Sequence, residues 1–285
     1  MRLLTCVKAG IETGAVLNSK GEAVLFTELF DEPLSILEFI RSGALLPEYD
    51  HFPSHPLQEL RLRAPIPRPA RDVVCLGKNY LDHAKEMTGT AIFNDKQPEH
   101  PIYFTKSAYS VIGPDEPILP HTNITQQLDY EVELAVIIGC ECRDITEDEA
   151  ERVIFGYTII NDITARDIQT RHIQWARGKS LDTSCPMGPV IVTADEFDFP
   201  PALNICSRVN GEIRQNSNTA NMIFSIPYII SELSQGMTLK PGDIISTGTP
   251  AGVGHAMKPP RHLVSGDEVE CEIENIGTLR NVVAD

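Results

Sequence analysis

The stretch Asp129-Tyr130-Glu131-Val132-Glu133-Leu134-Ala135-Val136-Ile137-Ile138-Gly139 decides the fold. Its aliphatic and β-branched residues predict a strand over Val132–Ile138. Side chains alternate across a strand, so Glu131 and Glu133 point to one face, and that face continues as Ala135 and Ile137 into the interior. Two carboxylates side by side on a partly buried face repel each other and lose solvation. A divalent cation offsets both costs.

A third acid ends the next strong strand candidate, Val153-Ile154-Phe155-Gly156-Tyr157-Thr158-Ile159-Ile160-Asn161-Asp162. A carboxylate at the mouth of a buried strand is a poor core residue and a good ligand. Oxygen-only ligation by Glu131, Glu133 and Asp162 suits Mg2+ or Mn2+, with Ca2+ as a substitute, rather than Zn2+. Spacing alone leaves open an ordinary exposed strand face followed by a turn aspartate.

Outward from this pair, further strands are expected at Val73–Leu76, Ile102–Thr105, Val190–Val192, Asn204–Val209, Asp243–Ser246 and Glu268–Ile273. Helices are expected at Tyr80–Met87, Glu147–Arg152, Ala165–Ala176 and Ser225–Ser234, the last behind a Ser-x-Pro start. Residues 1–65 hold short strand candidates and a helix near Leu34–Ser42. The Pro-rich stretch Leu62–Pro69 reads as an extended linker to a larger unit, 70–285. The class is α+β, mainly β, with a small N-terminal α+β domain and no internal repeat.

Two more constellations bear on chemistry. Val73 to Met87 runs from a strand through a Gly turn into a helix that places His83 and Glu86 three apart on one face. A carboxylate that orients an imidazole makes a general base, although a surface pair has the same spacing. Asp243 to Gly254 is a strand ending in a Gly/Thr loop, which presents backbone N–H groups and hydroxyls to an anion or simply joins two strands. Lys179, in Trp175-Ala176-Arg177-Gly178-Lys179-Ser180, is a candidate pocket cation.

The 285 residues carry a formal charge of -16, which argues against nucleic acid and against an anionic membrane surface. No apolar run reaches the ~20 residues of a membrane helix. Seven cysteines without a CxxC pair read as free thiols in a reducing compartment. The expected location is cytoplasmic, or mitochondrial if a presequence is cleaved.

Five pieces, in order, resemble the fumarylacetoacetate hydrolase family: Gly77-Lys78-Asn79-Tyr80-x-x-His83, Asp129 to Leu134, Asn161 to Asp167, Gly178-Lys179-Ser180-x-Asp182 and Thr247-Gly248-Thr249-Pro250-x-Gly252-Val253-Gly254. The stretches Arg208 to Glu212, Lys258 to Pro260 and Gly266 to Glu274 look most like the subgroup called fumarylacetoacetate hydrolase domain-containing protein 2. The resemblance implies a mixed β-roll catalytic domain over 70–285, a homodimer, and a metal on Glu131, Glu133 and Asp162 that chelates a small 2-oxo acid. It implies substrate contacts from Tyr80, Arg166, Gln169 and Thr249, and catalytic roles for His83, Glu86 and Lys179. The expected activity is a metal-dependent acylpyruvate-type hydrolase or oxaloacetate-type decarboxylase. The alternatives are an oxaloacetate keto–enol tautomerase, a dienoate isomerase or, outside enzymes, a structural metal-site protein.

Overall fold

The computed structural model describes residues 1–87 and 98–285. The fold is mainly β. A mixed eleven-stranded sheet runs in the order Ala23–Leu25, Ile11–Leu17, Arg2–Lys8, Cys185–Thr193, Ile154–Asn161, Val132–Ile138, Ile244–Ser246, Val73–Gly77, Ile102–Lys106, with Arg61–Arg63 and Val111–Ile112 paired alongside. Ile244–Ser246 and Val73–Gly77 pair in parallel, whereas the neighbouring pairs along this order are antiparallel.

Every residue of Val132–Ile138 is buried. Its two faces serve different cores. Val132, Leu134, Val136 and Ile138 pack with Ile205, Val269, Cys271 and Leu279. These partners belong to a four-stranded sheet ordered Glu212–Asn218, Asn204–Val209, Glu268–Ile273, Gly277–Val282. Ala135 and Ile137 pack on the opposite side with Phe26, Ile36, Phe39 and Ile40. The helix Ile36–Ser42 of that group is opened by Ser35 and Glu38 in a reciprocal cap and closed by Gly43 in the left-handed region. A strand buried on both faces is apolar throughout, as this one reads.

The N-terminal segment is joined to the rest by hydrogen bonds. Arg2–Lys8 pairs with Cys185–Thr193, placing Leu3 opposite Ile191. The Pro-rich stretch expected as a linker is extended but packed: Arg61–Arg63 pairs with Thr5–Val7, the Pro65 carbonyl accepts from Thr5 Oγ1, and Ala64 and Ile66 are buried.

Two expected helices are broken. Glu147–Arg152 forms the 3-10 turns Glu147–Glu149 and Glu151–Val153. Ala165–Ala176 forms a helix only over Arg166–Arg171, and a second short helix follows at Ala176–Lys179. A continuous helix would carry Lys179 about 20 Å along the axis from Arg166. The break lets both side chains meet one carboxylate.

Gly156 lies where the ladder to Val132–Ile138 shifts register. A Cβ built there would overlap the Val192 carbonyl oxygen and come within 2.9 Å of the Thr193 Cα. Neither backbone atom can move without opening the sheet. Gly156→Ala is expected to lower stability by about 1–3 kcal/mol, the usual cost of overpacking. Urea unfolding measures it, and an unchanged midpoint would show that the ladder yields freely.

Candidate metal centre and active site

The ladder itself assembles the acids. Ile160 pairs with Glu133 and Asn161 with Val132, and the pairing continues as the Asp162 amide donates to the Glu131 carbonyl at 2.8 Å. Asp162 is thereby set beside Glu131 and Glu133. One carboxylate oxygen from each lies within 4.8 Å of the others, and all three residues are buried. Three converging oxygens and no nitrogen or sulfur donor fit a hard divalent cation.

Three buried cations surround them. Lys106 Nζ lies 2.7 Å from Asp162 Oδ1 and also donates to the carbonyls of Ile163 and Lys179. Lys179 Nζ bridges Glu131 Oε2 and Asp162 Oδ2, 2.6 Å from each. Arg166 Nη2 lies 2.6 Å from Glu131 Oε1, and its Nε donates to Asp129 Oδ2 at 2.9 Å. Asp129 is saturated by further donation from the Gly254 and His255 amides. Among the described residues, Glu133 has no Lys or Arg at ion-pair distance. Its Oε2 accepts from Ser246 Oγ at 2.6 Å and the Gly248 amide at 3.0 Å.

The titration of the carboxyls follows from these partners. Burial pushes Glu133 up, the charges of Asp162 and Glu131 push it further, and it reaches about 8. Burial also pushes Glu131 up, but Lys179 and Arg166 outweigh it and hold that carboxyl well below the usual range. Burial pulls Lys179 down, and Asp162 and Glu131 more than reverse it.

His83 is buried, and its Nδ1 meets Glu86 Oε1 at 2.7 Å. A carboxylate only accepts, so Nδ1 carries the proton and Nε2 is the proton-accepting atom. Glu86 Oε2 accepts from the Gly252 amide at 2.8 Å. His83, Glu131, Glu133, Arg166, Gln169, Lys179 and Thr249 line one narrow cavity with Leu76, Phe104 and Trp175. Glu86 stands behind His83 rather than on the wall. Tyr80 is not brought to this cavity. Asn79 clamps the turn through Thr247 and Phe224, Tyr80 bridges Met222, and Tyr80 lines a separate cavity with Pro250 and Ala251.

Sequence reading passed over Lys106 and Gln215. Lys106 stands one residue past the expected strand end, and a charged residue closing an apolar strand is the only signal it gives. Gln215 is fully buried in the polar strand Glu212–Asn218, donates to Thr249 Oγ1 and the Pro250 carbonyl, and accepts from the Val132 amide. It ties the Gly/Thr loop to the metal-site strand.

Comparison with known proteins agrees with this geometry. The family profile "Fumarylacetoacetate (FAA) hydrolase C-terminal" matches residues 72–284. The chain belongs to the fumarylacetoacetate hydrolase family. It is 48% identical over 278 residues to oxaloacetate tautomerase YisK of Bacillus subtilis (strain 168), covering 93% of this chain and 91% of that one. It is 42% identical to human mitochondrial oxaloacetate tautomerase FAHD2A, covering 96% and 86%. Among solved structures, a fumarylacetoacetate hydrolase from psychrophilic Exiguobacterium antarcticum superposes with a TM-score of 0.89 at 45% identity, covering 100% of this chain and 99% of that one. Like other family members, the chain is an enzyme, and its buried acidic triad fits a divalent metal ion.

The proton on Glu133 must leave before that carboxyl can bind a cation. Mg2+ affinity is therefore expected to rise with pH up to about 8 and level off above it. Below that point each pH unit should cost about tenfold in affinity, with about one proton released per ion. Calorimetry in buffers of different ionisation enthalpy measures both, and a pH-independent affinity between pH 6 and 8 would remove Glu133 from the ligand set.

Proposed function

We propose that this enzyme interconverts the keto and enol forms of a short 2-oxo dicarboxylic acid, oxaloacetate being the type substrate, with Mg2+ or Mn2+ on Glu131, Glu133 and Asp162. The observation that carries the reading is that Glu131, Glu133, the Lys179 and Arg166 cations and the carboxylate-held imidazole of His83 line one cavity, with a carboxylate oxygen of Asp162 within 4.8 Å of those of the two glutamates. The residues alone left hydrolysis or decarboxylation in front and tautomerisation as the alternative. Two relatives that match most of this chain are oxaloacetate tautomerases, and that moves the reading to the alternative.

The bound cation would supply a Lewis acid that polarises the 2-oxo carbonyl and stabilises negative charge on its oxygen. His83 Nε2 takes the proton from the carbon beside that carbonyl. The C–H electron pair moves into the carbon–carbon bond, and His83 returns the proton to the oxygen, so only a proton changes place. Glu86 keeps the imidazole in the accepting tautomer. Lys179 and Arg166 hold positive charge where the substrate carboxylate enters, and Gln169 and Thr249 offer polar groups on the wall. The same reading includes a homodimer, which sedimentation tests, and a cytoplasmic location, in keeping with seven free cysteines.

The test follows the ultraviolet absorbance of enol-oxaloacetate with chelator and with added Mg2+ or Mn2+. Pyruvate release and acetylpyruvate cleavage are measured in parallel. Metal-dependent loss of enol far ahead of both is expected, and pyruvate release or acetylpyruvate cleavage at the same rate would overturn the reading.

His83→Ala is expected to lower kcat by about 10²–10⁴, the usual worth of a positioned acid–base group, with Mg2+ affinity unchanged. Glu86→Gln should cost less, because the imidazole remains. Wild-type turnover in His83→Ala would take the proton transfer away from this residue.

A further inference from the structure

Trp175 is the sole tryptophan of the chain and one wall of the cavity. Its ring lies against the end of the strand Val73–Gly77. A Cβ built on Gly77 would overlap ring carbon Cζ3 and come within 2.9 Å of Cη2. The Phe104 ring sits edge-on to it at 5.5 Å, and the Lys179 ammonium lies over the Phe104 ring at 5.0 Å from the centroid. The order is therefore indole, phenyl, ammonium, carboxylates. Trp175 is thus one ring removed from the ammonium that touches Glu131 and Asp162, on the side assigned here to the tail of a 2-oxo acid. Met87, Val253 and Ala256 pack with it and close that end with apolar surface. The wall is also fixed by the backbone: the Trp175 carbonyl accepts from the Gly178 and Lys179 amides, so the indole and the Lys179 ammonium ride on one helical turn.

We infer that Trp175 determines substrate length. Resting on the functional reading above, the bare edge of Gly77 seats the indole in the cavity wall, so that longer 2-oxo acids overlap the ring more than short ones do. Discrimination by a wall of this kind is worth about 10–200-fold per methylene. Trp175 makes no proton transfer and holds no metal, so its removal should change which ligands bind more than whether the metal binds.

The experiment titrates Mg2+-loaded protein calorimetrically with oxalate, 2-oxoglutarate and 2-oxoadipate, which need no turnover. Wild type is expected to bind oxalate best and 2-oxoadipate worst, and oxalate should change the fluorescence of the single tryptophan. In Trp175→Ala the affinity ratio of 2-oxoadipate to oxalate should rise at least about tenfold, with Mg2+ affinity unchanged. Trp175→Leu, a smaller apolar filler, should move the ratio the same way and covers the case in which the alanine variant does not fold. Gly77→Ala should disturb the ratio in the Trp175 background and leave it unaltered in Trp175→Ala, because the atoms nearest an added Cβ are those of the indole. Equal weakening of all three ligands in the Trp175 variants, or the same Gly77→Ala effect in both backgrounds, would overturn the length-selecting wall. Absence of any Mg2+-dependent binding to wild type would overturn the functional reading and this inference with it.

Discussion

The structure is organised around negative charge held out of water. Asp129, Glu131, Glu133 and Asp162 are all buried at the ends of two neighbouring strands. Isolated, each would be protonated or would oppose folding. Their cations come from separate parts of the chain: Lys106 from the last strand of the large sheet, Arg166 from one short helix and Lys179 from the next. The strand order, the broken helix and the return of Lys179 are what bring these charges within ion-pair distance. Removing one partner of such a buried pair costs about 3–5 kcal/mol, since the other charge is left behind.

The loop Thr247 to Gly254 links this charge cluster to the proton-transfer pair. Its Gly248 amide holds Glu133, its Gly252 amide holds Glu86, and its Gly254 amide holds Asp129. Gly248 and Gly252 adopt φ of +94° and +110°, a region that side chains rarely enter. A Cβ at Gly252 would also overlap the Arg214 carbonyl oxygen. The glycines thus serve two needs, backbone reach and close packing, and the loop makes metal ligation and imidazole orientation parts of one rigid unit.

Much of this was legible in the sequence because it follows from periodicity and charge. The apolar run Val132–Ile138 and the Glu131/Glu133 phase fix a strand and a face, and Asp162 closes the next strand. His83 and Glu86 follow from helical spacing. What stayed hidden depends on tertiary contact. Gln215 lies in the strand Glu212–Asn218, whose residues are nearly all polar, so no alternation announces it. Gly277–Val282 was missed although Leu279 and Asn281 alternate, because a buried asparagine breaks the apolar code; its side chain donates to the Gly113 and Glu116 carbonyls. The helix break between Arg171 and Ala176 has no local signal, since it is imposed by where Lys179 must go.

The uneven pairing of the carboxyls carries the functional meaning. Among the described residues, the cations ion-paired with this cluster, Lys106, Arg166 and Lys179, all serve Asp129, Glu131 and Asp162. Glu133 receives only a hydroxyl and an amide. A fourth lysine or arginine there would satisfy the cluster permanently and leave nothing to bind. Without such a partner, burial and the charges of Asp162 and Glu131 push Glu133 up to about 8. Lys179 touches two of the three ligand residues, Glu131 and Asp162, so it adds positive charge at the point where a substrate carboxylate would arrive without satisfying Glu133. The balance thus treats the two glutamates differently: Lys179 and Arg166 keep Glu131 ionised, while Glu133 is held only by the Ser246 hydroxyl and the Gly248 amide.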